Sequence, residues 1–354
     1  MPDYRELIVE MLTYTASQKA SDLHLSPANF PTLRLFGRLV PLKKYNILDP
    51  ETLQGIIDVL LEARKSRFLV EKEIDFSYAL NQEARFRVNI YQTKGIPAVT
   101  FRFIPPQIPD IDELGLPPIV KIFSRISQGF VLVVGPNGHG KTTTLAALIN
   151  LINRERAYKI ITIEDPIEYV FNSDKSIIDQ RELFSDTLSF HKALRSTFRQ
   201  NVDVILVGEM RDYETMSAAV TAAETGHLVF ASLHTNNASQ TVERIIDSFP
   251  ATQQPQIRAQ LANTISGVIS QRLIPSVKGG LVPAVEVMIA NSAVRNLIRE
   301  NKFNQLNLVI ETSSDVGMVS LNKSLAELVR KKEISMEQAE FYSLNPTELR
   351  ELIK

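Results

Sequence analysis

The sequence FVLVVGPNGHGKTTTLAALINLI, residues 130–152, joins an apolar run, a glycine-rich segment and a second apolar segment without interruption. Its centre, residues 135–142, matches the pattern G-x-x-x-x-G-K-[ST] without a gap. Glycines in such a loop let backbone N–H groups turn inward around phosphates, and the start of the following helix adds partial positive charge. The stretch therefore predicts a strand, a phosphate-binding loop and a helix.

The loop is predicted to bind ATP with Mg²⁺. Lys141 is expected to reach the β- and γ-phosphates, and the Thr142 hydroxyl to ligate the metal. The predicted nucleotide-binding residues are Gly135, Pro136, Asn137, Gly138, His139, Gly140, Lys141, Thr142 and Thr143. The alternative is a glycine-rich turn with an exposed lysine. His139 occupies a variable position of the pattern, and no separate role is assigned to it.

Two acidic segments follow apolar runs further along the chain. Glu164 follows the run 160–163, and Glu209 follows VILVG at 204–208, where glycine stands in place of the aspartate usual at the end of such a strand. Nucleotide hydrolysis needs carboxylates at the ends of neighbouring strands, to hold the metal's water shell and orient the attacking water. We predict that both glutamates are catalytic and that Glu209 contacts Mg²⁺ through water. The residues alone leave open which one is the general base, and solvated acids at strand ends are the alternative.

Histidines bracket a further apolar run, at His227 and His234. A histidine at the tip of a strand beside the phosphate loop can sense the γ-phosphate or position water, because small pKa changes alter its donor capacity. A structural core histidine is the usual alternative, but the flanking glycine and polar residues favour function. Both are predicted to be catalytic, whereas His24 and His191 are predicted to be structural.

Length, charge and cysteine content restrict the possible functions. The 354 residues suggest two domains or three, and 39 basic against 40 acidic residues give no basic field for nucleic acid. The absence of cysteine excludes disulfides, thiol nucleophiles and cysteine-based metal sites. No apolar stretch approaches the roughly 18 residues of a membrane span, and the charged N-terminus is unlike a signal peptide. We expect a cytoplasmic protein that reaches a membrane only through partners.

Hydrophobic periodicity predicts an α/β protein. Helical spacing predicts a helix over about 4–19, with Asp3 as its N-cap, and a second helix starting at Asp49-Pro50. Alternation predicts short strands over 23–39 and a three-stranded meander over 76–103. Apolar runs beyond residue 129 predict a parallel sheet buried on both faces. Four C-terminal helices are predicted, at about 291–301, 319–331, 335–343 and 346–353.

Prolines suggest where the chain divides. Five of them lie between residues 104 and 118, a density that neither a continuous helix nor a central strand tolerates. The predicted regions are an N-terminal domain at 1–103, a proline-rich linker at 104–118, a core at 119–290 and a helical region at 291–354.

These features together resemble the ATPases of type II secretion and type IV pilus systems, in particular the PilT-like pilus retraction branch. Four segments carry the resemblance: the Walker A loop at 135–142, ITIEDPIEY at 161–169, VDVILVGEMRD at 202–212 and AAETGHLVFASLHTN at 222–236. ASDLHL at 20–25 and AVRNLIRE at 293–300 resemble signatures of the retraction branch. The order and spacing match, and the resemblance covers nearly the whole chain.

The resemblance implies a PAS-like N-terminal domain, a RecA-like P-loop ATPase core and specific residue roles. Glu164 becomes the general base, Glu209 joins the metal and water network, and the two histidines link nucleotide state to neighbouring elements. This sequence departs from the family at 201–203, where Asn-Val-Asp replaces a common Asp-Pro-Asp run. Within Walker A, Asn137 and His139 replace the commoner threonine and serine.

Three arginines of the predicted meander also become candidates. Arg85 and Arg87 are two residues apart, so they share a face, and Arg102 lies on the corresponding face of the next strand. The alternative is a solvated basic face. The resemblance implies a ring whose N-terminal domains supply arginines to bound nucleotide, where they would neutralise charge on the γ-phosphate. On that basis all three are predicted to be catalytic.

The function implied is that of a homo-hexameric motor that hydrolyses ATP to drive type IV pilus retraction. Such a motor would work at the cytoplasmic face of the inner membrane, associate peripherally through a pilus platform protein, and bind no nucleic acid directly. The alternatives are a pilus-assembly or type II secretion ATPase, whose chains often carry a tetracysteine zinc element, and a nucleotide-dependent scaffold with little turnover.

Overall fold

A computed structural model describes residues 3–35, 37–80 and 84–354 and divides the chain into two compact units. The first unit comprises the described residues up to Gln107 together with Asp165–Val170. The second comprises Ile108–Glu164 and Phe171–Lys354. Residues 1, 2, 36 and 81–83 of the predicted N-terminal domain lie outside the described residues. Of these, residue 36 falls in the predicted strands over 23–39 and residues 81–83 in the predicted meander.

The first unit contains three α-helices and six strands in its described part. They are α1 (Tyr4–Ser17), β1 (Asp22–Leu25), β2 (Thr32–Leu35), β3 (Arg38–Pro41), α2 (Pro50–Leu61), α3 (Lys65–Glu71), β4 (Glu73–Ala79), β5 (Arg85–Thr93) and β6 (Ile96–Ile104). The predicted N-caps are confirmed, because Asp3 accepts the N–H groups of Arg5 and Glu6, and Asp49 accepts that of Thr52. Helix α1 ends two residues before the expected position.

The six strands form an antiparallel sheet in the order β3-β2-β1-β6-β5-β4. The predicted meander is confirmed as β4, β5 and β6. Alternate residues such as Phe86 and Phe101 are fully buried and meet edge to face, while the arginines between them are more exposed. The pleat therefore turns one face of the meander to the core and leaves the other polar.

The second unit is built on a seven-stranded sheet in the order β13-β12-β7-β11-β10-β8-β9. Its strands are β7 (Gly129–Val134), β8 (Lys159–Glu164), β9 (Ile177–Glu182), β10 (Val204–Val207), β11 (Leu228–Leu233), β12 (Ile265–Pro275) and β13 (Leu281–Ile289). Five of the six neighbouring pairs are parallel, but β13 runs antiparallel to β12. The predicted parallel sheet is confirmed for the four apolar runs, which form β7, β8, β10 and β11. The hairpin of β12 and β13 was not predicted, and a short turn after β12 returns the chain directly as its antiparallel partner.

Helices cover this sheet and extend to the C-terminus. They are α4 (Lys141–Glu155), α5 (Phe190–Thr197), α6 (Tyr213–Glu224), α7 (Ala238–Asp247), α8 (Gln254–Thr264), α9 (Ser292–Arg299), α10 (Leu306–Thr312), α11 (Leu321–Arg330), α12 (Met336–Tyr342) and α13 (Pro346–Ile353). The four predicted C-terminal helices are confirmed, three with slightly shorter bounds and α13 with the predicted bounds, whereas α10 was not predicted. Within the described ranges, no helix combines the length and apolar character needed to cross a bilayer.

The parallel strands place their carboxyl ends at one edge of the sheet. Strands β7 and β11 pair through Val134 and Leu233, and β10 and β8 pair through Val207 and Ile163. The segments that follow these strands therefore emerge side by side. This edge holds most of the predicted site residues of the second unit.

Candidate nucleotide site

The glycine-rich loop connects β7 to α4 as the motif predicts. Helix α4 begins at Lys141, and Gly140 before it has φ +80°, in the left-handed region. A Cβ on Gly135 would lie 2.4 Å from the Gln271 carbonyl oxygen, so this position has no room for a side chain. Both glycines are thus required by the path of the loop.

Lys141 lies under the loop and is only 8% exposed. Its Nζ donates to the carbonyl oxygens of Gly135 and Pro136, each at 2.9 Å, and lies 3.1 Å from His234 Nδ1. The alternative of a turn with an exposed lysine is therefore wrong. The ammonium group is held where phosphate oxygens could replace the two carbonyl oxygens as acceptors.

His234 links Lys141 to Glu209. An ammonium group only donates, so Nδ1 of His234 must accept and the ring proton is on Nε2. That Nε2 lies 3.0 Å from Glu209 Oε1, and Arg211 contacts the other carboxylate oxygen at 2.9 Å. The result is a continuous line of polar contacts from the loop lysine to the acidic residue after β10.

Charge keeps Glu209 ionised. Burial by itself would raise the pKa of this carboxyl, but the hydrogen bond and charge of Arg211, followed by the hydrogen bond from His234, outweigh burial and hold the pKa below its usual value. An anionic oxygen ligand at this position suits Mg²⁺, which binds carboxylates while keeping several waters. The Thr142 hydroxyl, exposed at the start of α4, offers a second oxygen of the same kind.

Glu164 ends β8 and is only 6% exposed. Its Oε1 accepts from Thr162 Oγ1 at 2.5 Å and from Gln180 Nε2 at 3.2 Å, so the carboxylate has a fixed orientation. Gly208 donates its N–H to the Ile163 carbonyl at 2.8 Å. A Cβ on Gly208 would lie 3.2 Å from that carbonyl oxygen, a close contact that favours glycine at this position.

Three of the predicted residues lie next to one another along the edge of the sheet. His234 follows β11, Glu209 follows β10 and Glu164 closes β8, and these strands are consecutive in the sheet. Within the described residues, no cluster of three or more His, Cys, Asp or Glu side chains forms a complete metal site. Any Mg²⁺ here would need phosphate and water oxygens as additional ligands.

His227 lies at the opposite edge of the sheet. It precedes β11, whose first residue Leu228 pairs with Gly129 at the start of β7. Its Nδ1 lies 2.9 Å from the Ala222 carbonyl at the end of α6, and its ring packs edge to face on Phe198. Because a carbonyl only accepts, Nδ1 carries the proton, and the side chain caps α6. The structure does not place His227 with Lys141.

The three predicted arginines lie in the first unit and have partners there. Arg87 binds both carboxylate oxygens of Asp75, at 2.7 and 3.3 Å, and lies 3.4 Å from a Glu168 oxygen. Arg85 donates to Ser77 at 2.6 Å. Arg102 pairs with Asp22 at 3.0 Å. As predicted, β5 and β6 align Arg87 opposite Arg102.

Sequence reasoning missed several polar residues that support the site. Gln180 on β9 holds Glu164, Gln271 lies against the loop, and Arg272 donates to Asn236 Oδ1 at 2.8 Å. The sequence signal that could have identified two of them is the polar pair Gln271-Arg272 inside an otherwise apolar segment. Polar side chains in a buried strand normally form hydrogen bonds with specific partners.

The fold and the site define a nucleotide-binding α/β protein. The chain belongs to the type II/IV secretion system protein family, whose model matches residues 4–339. It is 45% identical to the Type IV pilus retractation ATPase PilT of Pseudomonas aeruginosa over 336 residues, which cover 94% of this chain and 96% of that one.

Two further comparisons agree with this assignment. The Twitching motility protein of Neisseria gonorrhoeae is 46% identical over 310 residues, which cover 87% of this chain and 83% of that protein. A crystal structure of the pilus retraction motor PilT with bound ADP superposes with a TM-score of 0.89 and 42% identity, and the match covers 97% of this chain and 99% of that one.

Proposed function

We propose that this chain is a motor ATPase whose hydrolysis of ATP drives type IV pilus retraction. The observation that carries the proposal is the match, over nearly the full length of both chains, to a relative named as a pilus retraction ATPase. The buried lysine and the ordered carboxylates of this chain support the chemistry. The nucleotide is ATP, and the metal is Mg²⁺.

The glycine-rich loop acts as a P-loop that receives the phosphates. Lys141 exchanges the carbonyl oxygens of Gly135 and Pro136 for β- and γ-phosphate oxygens, which carry more negative charge and therefore bind the ammonium group more strongly. Asn137, Gly138, His139, Gly140 and Thr143 contribute backbone N–H groups. Thr142 and, through water, Glu209 hold Mg²⁺, which supplies charge neutralisation at the phosphates.

Glu164 acts as the general base. Its burial and its contacts with Thr162 and Gln180 fix the carboxylate at the edge of the sheet, as a base that orients one water requires. Its neighbour Glu209 is already engaged by Arg211 and His234. This difference in partners favours Glu164 over Glu209, a choice that the residue pattern alone left open.

His234 connects the phosphate end of the site to the metal end. Nδ1 of His234 faces Lys141 and Nε2 faces Glu209. A phosphate that draws Lys141 away therefore removes one contact of His234, the residue that donates to the Glu209 carboxylate. His227 would carry the other part of the predicted link, from helix α6 to elements beyond the site. Arg85, Arg87 and Arg102 would serve nucleotide bound by a neighbouring subunit, which requires exchange of their present partners.

The assembly and location belong to the same proposal. The chain would form a homo-hexamer with a PAS-like N-terminal domain at 1–103, a linker at 104–118, a RecA-like core at 119–290 and a helical region at 291–354. It would act at the cytoplasmic face of the inner membrane through a pilus platform protein, without binding nucleic acid directly.

Phosphate release by the purified full chain tests the enzymatic part. We expect Lys141→Ala to lose nucleotide binding, because the ammonium group that meets the phosphates is gone. Glu164→Gln should bind ATP normally and reduce turnover by at least about 100-fold, since an amide cannot accept the water proton. The exposed residues Lys175 and Glu155 provide the matched controls Lys175→Ala and Glu155→Gln, which should behave like wild type. Normal turnover by Glu164→Gln would disprove the assignment of the base.

A further inference from the structure

Strand β12 continues past the end of its partner β7 and lies along the glycine-rich loop. The last paired residues are Ser270 and Val134, and Gln271 follows directly. A Cβ built on Gly135 would lie 2.4 Å from the Gln271 carbonyl oxygen, and one built on Gly140 would lie 2.8 Å from Gln271 Nε2. Both ends of the loop therefore pack against the same residue of β12.

The Gln271 side chain also holds the start of α4. Gln271 is 3% exposed, and its Oε1 accepts from Thr144 Oγ1 at 2.7 Å. Thr144 is itself fully buried in the first turn of α4. Because Oε1 of the buried Gln271 amide accepts from Thr144, the amide has one orientation, and its Nε2 is directed to Gly140. The helix start and the loop thus share one fixed side chain.

His139 attaches the loop to β12 a second time. The Leu273 N–H donates to His139 Nδ1 at 2.9 Å. Because Nδ1 accepts, the ring is neutral and its proton is on Nε2. The exposed residues Asn137 and Gly138 immediately precede this attachment.

The charges around His139 favour this acceptor form. Burial first, and then the positive charges of Arg272 on β12 and Lys141 on α4, hold the pKa of His139 below its usual value. The neutral ring is therefore the main form at neutral pH. The bond to Leu273 is available before any nucleotide binds.

We propose that His139 and Gln271 are positioning residues that hold the loop against β12 in the shape that receives the phosphates. The proposal rests on the ATPase function proposed above and adds two residues that act through the loop. A loop that is already ordered loses less conformational freedom on binding. Removing an attachment should therefore weaken nucleotide binding, while the chemical step in the bound state continues.

The test compares His139→Leu with His139→Asn in the full chain. Leucine removes the acceptor, whereas the asparagine Oδ1 can still accept the Leu273 N–H. We expect His139→Leu to raise both the KM for MgATP and the Kd for MgADP by about tenfold, with kcat within about twofold of wild type. His139→Asn should restore both constants to within about threefold, and the control His191→Asn should match wild type.

The inference fails if His139→Leu binds MgADP like wild type, or if His139→Asn binds as weakly as His139→Leu. If the leucine variant does not fold, hydrogen exchange at the Leu273 amide decides: protection in wild type and in His139→Asn supports the bond, and unprotected exchange in wild type contradicts it. A wild-type chain with no MgADP binding and no turnover would instead contradict the ATPase proposal itself.

Discussion

The side chain of His234 has one protonation state that satisfies both of its neighbours. Lys141 can only donate to Nδ1, so Nε2 is left to donate to Glu209. A positively charged ring could not accept from the lysine. The contact between the phosphate loop and the acidic strand therefore depends on a neutral histidine.

Replacing His234 should affect turnover more than folding. In His234→Ala, Lys141 loses an acceptor and Glu209 loses a donor, and hydrogen bonds to charged groups contribute enough to change a rate by about 10- to 100-fold. Steady-state phosphate release measures this loss, and the thermal unfolding midpoint should stay within a few degrees of wild type. Turnover equal to wild type would show that the line of contacts has no catalytic importance.

His227 should show the opposite behaviour. Its ring caps α6 at the far edge of the sheet, so His227→Ala should lower the free energy of unfolding by about 1 kcal/mol. Turnover per folded molecule should remain within about threefold of wild type, because His227 lies away from Lys141 and the link proposed for it would act on elements beyond the site rather than on hydrolysis. Denaturant unfolding and phosphate release on the same preparation check both values. A folded His227→Ala protein without turnover would show that this residue acts beyond its contacts within the chain.

The motif residues were predictable because their chemistry requires fixed spacing around a loop and two strand ends. Lys141, Glu164, Glu209 and His234 come from such segments, and the structure places all four at one edge. His227 was predicted to be catalytic with His234, but a histidine before a parallel strand lies at the edge opposite the loop, which is where the structure has it. The partners of Arg87 were not predictable, because Asp75 and Glu168 approach it only through the fold.

The hairpin of β12 and β13 shows why strands with buried polar residues are difficult to predict from sequence. Gln271, Arg272 and Glu286 interrupt the apolar pattern, yet each is nine-tenths buried or more. Their partners lie far away in sequence: Thr144 for Gln271, Asn236 for Arg272, and the Ala238 N–H for Glu286. The apolar runs of β7, β8, β10 and β11 need no such partners and were therefore predicted.

Glu286 should make stability depend on pH. Burial raises its pKa from 4.5 to about 7, so the folded protein holds a proton that the unfolded chain releases between these values. Stability contributed by this proton is complete below about pH 4.5 and is lost as pH rises to about 7, by on the order of 3 kcal/mol. Glu286→Gln, which cannot ionise, should be more stable than wild type at pH 8 and similar at pH 5. Denaturant unfolding of both proteins at the two pH values checks this prediction. The same difference in free energy of unfolding between Glu286→Gln and wild type at pH 5 and pH 8 would contradict it.

Helix α9 provides a test of coupling to retraction. Arg295 donates to the Ala262 and Asn263 carbonyls at the end of α8, while Arg299 is exposed and contacts the Asn263 side chain. We expect Arg299→Ala, and likewise substitution of Leu297, to impair retraction while ATP hydrolysis stays within about twofold of wild type. Lys302→Ala is the exposed control. A parallel fall in hydrolysis would assign the segment a structural role only.

The chain as a whole combines a neutral charge balance with two units of different architecture. Its net charge is −1, so its basic residues create no overall positive field. They act instead through individual contacts, as Arg87, Arg102 and Arg272 do with their specific partners. The proline-rich segment predicted a linker at 104–118, and the first unit comprises the described residues up to Gln107 together with Asp165–Val170. The sequence did not predict that Asp165–Val170 groups with the first unit, because this follows from contacts distant in sequence, such as Glu168 with Arg87.

Deletion of the gene, followed by complementation, tests whether the chain drives retraction. We predict that deletion cells carry excess surface pili and lose twitching motility. Wild-type protein should restore motility, whereas Glu164→Gln, expressed at the same level, should not. Cells without surface pili would indicate a pilus-assembly ATPase, and a strain with unchanged pili and motility would contradict any role in the pilus; either result would overturn the retraction function proposed for this protein.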